Sequence, residues 1–138
     1  MTNELQEKFL VYQLLEKRLE ELKQEQALIE RRFIEIETTK QAVADFKKMK
    51  EKNDVLIPLG PDCYAFGEIK DLKKVLVNLG AGILTINELE SAEEILEKRK
   101  KEIENLINEI QEEAKEIIEK MNQLAPEIQE LVKSAQNQ

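Results

Sequence analysis

Apolar residues recur every seventh position along the first third of the chain. One series runs Leu5, Tyr12, Leu19, Gln26, Phe33, Lys40, apolar except at Gln26 and Lys40, and a second runs Leu15, Leu22, Ile29, Ile36, Val43. No glycine or proline occurs before Pro58. Two interleaved heptad series without a breaker predict one helix from about Glu4 to about Lys50, roughly 70 Å at 1.5 Å per residue. That exceeds the usual globular helix of about 11–12 residues and argues for a coiled coil.

The last third repeats the pattern. Its stripe reads Leu96, Ile103, Leu106, Ile110, Ala114, Ile117, Met121, Leu124, Ile128, Leu131, Ala135. Steps of 3, 4, 4, 3 around Ile110 predict a local interruption of the heptad. Glu94–Lys98, Glu97–Lys101 and Glu116–Lys120 place Glu four residues before Lys, the favourable order on a helix surface. Ser91 with Glu94 has the form of a capping box, and Asn87 with Glu90 that of a second start signal, so the helix should begin between Leu89 and Ala92. Pro126 inside the pattern should kink the helix or end it early.

The middle holds all four glycines and two of the three prolines. Apolar runs at Val55–Leu59, Tyr64–Ile69, Lys74–Leu79 and Ile83–Ile86 are separated by turn-forming segments, which predicts two β-hairpins in tandem. Pro58 marks the first strand as an edge, because it donates no ladder hydrogen bond. The segments are a first helix over 1–51, hairpins over 52–88 and a second helix over 89–138. The economical arrangement is one mainly helical subunit: a long antiparallel two-helix coiled coil with both hairpins at its closed end and the termini together at the other. An isolated two-stranded hairpin is marginal in water, and open strand edges invite pairing. The hairpins should therefore be the assembly surface, through Val55, Ile57, Leu59, Tyr64, Phe66, Val75, Val77, Leu79, Ile83 and Ile86.

Composition narrows the function. The 138 residues contain no histidine, no tryptophan and one cysteine, Cys63. His-dependent hydrolases and His-ligated metal sites are excluded, and no internal disulfide can form. A reducing cytosolic compartment follows most simply. Net charge is −8. Residues 88–138, with fourteen acidic and seven basic side chains, hold nearly all of it. That balance disfavours nucleic acid and anionic membranes as partners. No run approaches the ~20 apolar residues of a membrane span. Met1-Thr2-Asn3-Glu4 lacks the character of a signal peptide.

The helix–two hairpins–helix order resembles the α-class subunits of prefoldin, of the archaeal type. The residues that carry the resemblance are Val55-Leu56-Ile57-Pro58-Leu59-Gly60 and Val75-Leu76-Val77-Asn78-Leu79-Gly80-Ala81-Gly82. Ile57 is a mild departure from the family's turn, where valine is usual. The resemblance implies a cytoplasmic, ATP-independent holdase. It implies a hexamer of two α-class and four β-class subunits, whose hairpins form a double β-barrel platform. Non-native proteins would be held at the coiled-coil tips and passed to a group II chaperonin. A filament-forming relative, gamma-prefoldin, shares the layout, so a filament or structural role is the alternative.

One cluster fits the holdase reading. Phe9-Leu10-Val11-Tyr12-Gln13-Leu14-Leu15 has six apolar residues in seven, more than one seam can cover. With Leu5, and with Leu124, Ile128, Leu131 and Val132 from the second helix, it forms a candidate client-binding tip. Packing at a frayed end and contact with another subunit are the alternatives. No catalytic or metal constellation is visible. Glu112, Glu113 and Glu116 read as a solvated face, Asp62 and Asp71 as turn residues, Cys63 as a passenger, and the glycines make no phosphate loop. No cofactor is expected. A plain coiled-coil adaptor is a third possibility, and an enzyme is the least favoured.

Overall fold

The computed structural model describes residues 3–51 and 54–137. The segment limits anticipated at Met1, Lys52 and Gln138 lie outside the described residues. Helix α1 spans Asn3–Lys48 and helix α2 spans Leu89–Gln136. Between them lie β1 (Asp54–Gly60), β2 (Cys63–Glu68), β3 (Lys74–Gly80) and β4 (Ile83–Glu88). Among the described residues, β1 pairs only with β2 and β3 only with β4, both antiparallel, and they form no closed barrel.

The chain divides into two compact units, Met1–Arg32 with Ile103–Gln138, and Phe33–Glu102. Both helices contribute to each. In the first unit, Leu22 is 1% exposed and packs with Ile110 and Ile117, flanked by Leu15, Leu19, Ile29, Ala114 and Met121. The pairs Lys8–Glu127 (3.0 Å) and Arg18–Glu113 (2.9 Å) show that α1 and α2 run antiparallel here. In the second unit, Val43, Leu89 and Leu96 form the core with Ile36, Phe46 and Val75. Lys47–Glu93 (2.7 Å), Lys40–Glu97 and Glu37–Lys100 (3.1 Å) show the same antiparallel sense.

Both α1 seams are buried or half-buried throughout, as their spacing predicts. The α2 seam differs from the sequence expectation in one respect. Leu106 is exposed, and its neighbour Ile107 turns inward instead. One buried and half-buried series runs Leu89, Glu93, Leu96, Lys100, Ile103, Ile107, Ile110, Ala114, Ile117, Met121, Leu124, Ile128, Leu131, with Ala92, Ile95, Glu97, Arg99, Glu113 and Ala125 buried or half-buried beside it. Its steps alternate 4 and 3 without interruption. Two adjacent apolar residues offered two paths, and the inward one keeps Ile107 seven residues from Ala114. Ala135 lies beyond this series and is exposed.

Lys8 and Lys40 of α1, and Glu93 and Lys100 of α2, are charged residues at seam positions. Each reaches a partner of opposite charge on the other helix. Lys100 also lies 5.7 Å from the centre of the Phe33 ring, close enough for a cation–π contact.

The start of α2 uses neither anticipated cap. Ser91 falls inside the helix, and the Asn87 amide donates to Thr85 within β4. The Leu89 N–H instead donates to the Lys73 carbonyl at 3.2 Å. A carbonyl just before β3 thus satisfies one of the helix's unpaired first-turn donors. Pro126 neither ends the helix nor shortens it to that point, since α2 continues for ten further residues. Its missing N–H leaves only the Asn122 carbonyl without its intrahelical donor.

The two hairpins are the same device twenty residues apart. Val55, Leu56, Leu59, Gly60 and Glu68 recur as Val75, Leu76, Leu79, Gly80 and Glu88. Strand pairing is equivalent, from Asp54↔Glu68 to Pro58↔Tyr64 and from Lys74↔Glu88 to Asn78↔Leu84. Both register shifts fall at the same place, Pro58/Gly60 and Asn78/Gly80. The turns need left-handed backbone, at Asp62 (φ 57°) in the first and at Ala81 (φ 52°) and Gly82 (φ 76°) in the second. Both hairpins therefore close through two-residue loops. Gly67 has a different role: a Cβ there would stand 2.6 Å from Ile57 Cδ1, so its bare backbone gives the Ile57 side chain room.

Candidate functional site

Identical pairing does not give the hairpins identical surroundings. Val77 is 8% exposed and Val75 packs on the core of the second unit, so one face of β3 rests on its own helices. The groove beside it is lined by Ala42, Val43 and Phe46 of α1 and by Ala92 and Leu96 of α2. Arg99 closes one side by donating to the Asn78 carbonyl. Ile57, the counterpart of Val77, is 47% exposed. The opposite faces are bare in both hairpins. Leu56 stands across from Phe66, and Leu76 across from Ile86, with all four side chains exposed. Phe66 is 90% exposed, which leaves a whole aromatic ring in water.

Of the residues anticipated for assembly, Ile57, Leu59, Tyr64, Phe66, Leu79, Ile83 and Ile86 are exposed. Val55 is half-buried, while Val75 and Val77 spend their surface inside the chain. The exposed Leu56, Leu76 and Leu84 belong to the same surface and were missed. The strand alternation that put Leu76 opposite to Val75 and Val77 was the available signal.

The second bare surface lies in the first unit. Leu5 is buried, which closes the seam beneath it. Phe9, Leu10, Val11 and Leu14 are each about half exposed, while Ile128 and Leu131 are half-buried and Val132 is exposed. The structure thus brings the anticipated tip residues of both helices together. Leu5, Phe9, Leu10, Ile128 and Val132 line one valley with Gln6 and Gln13. Val11 and Leu14 do not line it. Further along the helices, Leu28, Ile34 and Ile118 are also exposed, and the sequence reading did not single them out; Leu106, expected in the seam, is exposed as well.

Ion pairs flank this surface. The Lys8 Nζ reaches Glu127 at 3.0 Å and Glu4 at 3.5 Å, and Arg18 grips both carboxylate oxygens of Glu113 at 2.9 and 3.2 Å. The hydrogen bond from Arg18 holds the Glu113 carboxyl below its ordinary 4.5, and that from Lys40 does the same for Glu97. The hydrogen bond to Glu127 and the close ion pair with Glu93 hold Lys8 and Lys47, respectively, above the ordinary 10.5. A lowered carboxyl contributes stability that is present above 4.5 and is lost as pH falls through the depressed value. A raised lysine contributes stability that is present below 10.5 and is lost as pH rises past the raised value. Resistance to denaturant should be flat between these limits and fall outside both. Because these groups are half-buried or exposed and reach solvent, water and salt keep the falls modest. Glu113→Gln should shrink the acid-side fall. An acid limb unchanged in that variant would mean the Arg18 pair contributes nothing.

Among the described residues, no group of three or more His, Cys, Asp or Glu is arranged to hold a metal ion. Glu113, noted among the carboxylates, is committed to Arg18, and Cys63 is exposed at a strand end. No helix is long and apolar enough to cross a membrane, among the described residues. What the geometry offers is exposed apolar surface in each unit.

The prefoldin subunit family profile matches residues 15–134. The chain belongs to the prefoldin family. It is similar to the prefoldin subunit alpha of Pyrococcus horikoshii, with 29% identity over 109 residues, 78% of this chain and 74% of that one. It is likewise similar to prefoldin subunit alpha 1 of Thermococcus kodakarensis, with 32% identity over 101 residues, 73% of this chain and 69% of that one. In fold it matches a solved chain of filamentous prefoldin from Methanocaldococcus jannaschii, with a TM-score of 0.73 and 20% identity over 88% of this chain and 98% of that one. As a member of the family, this prefoldin subunit is a chaperone subunit, and prefoldin subunits are chaperones rather than enzymes.

Proposed function

We propose that this chain is one subunit of a cytosolic, ATP-independent holdase. Its hairpins assemble with β-class prefoldin subunits into a β-barrel platform, in a hexamer of two α-class and four β-class chains. Its second apolar surface, at Phe9, Leu10, Ile128 and Val132, captures non-native proteins for delivery to a group II chaperonin. The observation that carries the reading is that each unit has its own bare apolar surface outside a closed helix seam. Two surfaces allow one for assembly and one for clients.

The test is the double change Phe9→Ser with Leu10→Ser. Burial of each such side chain against a client is worth roughly 1.5–3 kcal/mol, so capture should weaken tenfold or more. Assembly should be untouched, because neither residue is in a hairpin. The measurement is suppression of client aggregation, without nucleotide, alongside the mass of the assembly. Small clients should be affected most, since several subunits holding one large client mask a loss at each. Unchanged suppression for both sizes, or a requirement for ATP, would overturn the holdase reading.

A second reading is a filament. The structural relative is filamentous, and in this chain both faces of the β1–β2 hairpin carry exposed apolar side chains. The mass of the purified chain, alone and with a β-class partner, separates the two: long polymers favour the filament and a closed hexamer favours the holdase.

A further inference from the structure

The valley lined by Phe9 and Leu10 has a shape and a chemistry that select among unfolded segments. Its lining comes from α1 positions 5, 6, 9, 10 and 13, two turns of one face, and from α2 positions 128 and 132, one turn. Its volume is about 410 Å³, and a smaller hollow of about 180 Å³ lies on the other side of Phe9, beside Tyr12 and Ala125. Among the described residues, no charged side chain lines either, in a chain that is 36% charged.

Both walls are α-helix, and the backbone groups of a helix interior are bonded within it. The valley therefore has no strand edge on which an extended peptide could pair its N–H and C=O groups. An extended segment buried there would leave those groups unsatisfied, at a cost comparable to losing the hydrogen bonds outright. A helical segment arrives with its backbone already paired. Only its apolar stripe needs covering, and a valley between two helices covers such a stripe.

Charge adds a second selection. The unit that carries the valley has fifteen acidic and nine basic side chains, whereas the other unit has fourteen and twelve. The basic residue nearest the valley on α1, Lys8, is held by Glu4 and Glu127. A ligand with basic flanks meets a complementary field there, and one with acidic flanks meets repulsion.

We propose that this valley takes an amphipathic helix with a leucine-type stripe and lysine- or arginine-rich flanks, formed by a non-native polypeptide as it is captured. This rests on the client-capture reading above and adds the class of segment that is captured.

Three synthetic peptides of about 18 residues, five helical turns, test it on the full chain. The first has a leucine stripe and lysine flanks. The second replaces lysine by glutamate. The third keeps the first composition with two central prolines that forbid the helix. Fluorescence anisotropy reads binding and circular dichroism reads helix gained. The lysine peptide should bind and gain helix. The glutamate peptide should bind about tenfold or more weakly at low salt, with a gap that narrows as salt is added. The proline peptide should lose most of its affinity. Phe9→Ser with Leu10→Ser should weaken the lysine peptide tenfold or more, and Phe66→Ser should not.

Equal binding of the lysine and proline peptides would overturn the helix preference, and equal binding of the lysine and glutamate peptides would overturn the charge preference. Loss of binding in Phe66→Ser, with none in the Phe9 and Leu10 variant, would overturn the location. Aggregation suppression by the same variants separates this inference from its premise. If the Phe9 and Leu10 variant loses suppression while the peptides bind alike, capture stands and the class of segment falls.

Discussion

Leu22→Ala is expected to destabilise the first unit by about 2–5 kcal/mol, the range found for large-to-small changes at closed core sites. Leu22, 1% exposed, is the most deeply buried large side chain among the described residues, and it packs against Ile110 and Ile117 from the facing helix. A coiled coil has a thin core, so few neighbouring side chains can move in to fill the space. The loss should appear as a lowered denaturant midpoint with the slope little changed. Leu28→Ala, at an exposed position on the same helix, is the control and should stay within about 0.5 kcal/mol of the parent. If both variants unfold alike, the seam is not the source of this unit's stability.

Phe66→Asp combined with Leu76→Asp is expected to abolish assembly while leaving the isolated subunit folded. Both side chains stand on bare hairpin faces, so in the single chain the new carboxylates remain in water. In an assembly that covers these faces, each would be buried without a partner, at a cost of several kcal/mol. At about 1.4 kcal/mol per tenfold, two such costs weaken association by more than a thousandfold. Val77→Asp gives the contrast. Val77 already lies against its own helices, so this change should loosen the hairpin within one chain and expose it to protease before any partner is added. Light scattering distinguishes the outcomes. A Phe66 and Leu76 variant of normal mass would remove the hairpin faces from the assembly surface.

The long-range pattern was legible because a seam repeats every seven residues and errors at one position are corrected by the next. Strand limits were legible within one or two residues, since glycine and proline bracket each run. The choice between Leu106 and Ile107 was not, because neighbours of similar hydrophobicity differ only in which keeps register with residues a heptad away. The start of α2 was not legible in detail either. Ser91 has the right chemistry for a cap, but Lys73, sixteen residues before Leu89, supplies the acceptor, and that contact is tertiary. The anticipated assembly residues mixed two environments for a related reason. Ile57 and Val77 occupy equivalent positions in the repeat, and only the packing of the second hairpin on α1 and α2 distinguishes them.

The charged seam residues bear on a hazard built into any strict heptad. An apolar seam that repeats every seven residues matches itself again after a slip of one heptad, about 10 Å along the axis. Slippage one way would bring Lys47 against Lys100 and Arg18 against Lys120; the other way it would bring Lys8 against Lys120 and Glu37 against Glu93. Each unit therefore meets like charge on a slip in either direction, where the apolar pattern alone would allow a match. The pairs that add little stability at the surface act as the teeth of a key. They disfavour a one-heptad slip, although Lys40 would still meet Glu90 or Glu104, and so help set which residues of α1 and α2 stand side by side at the valley.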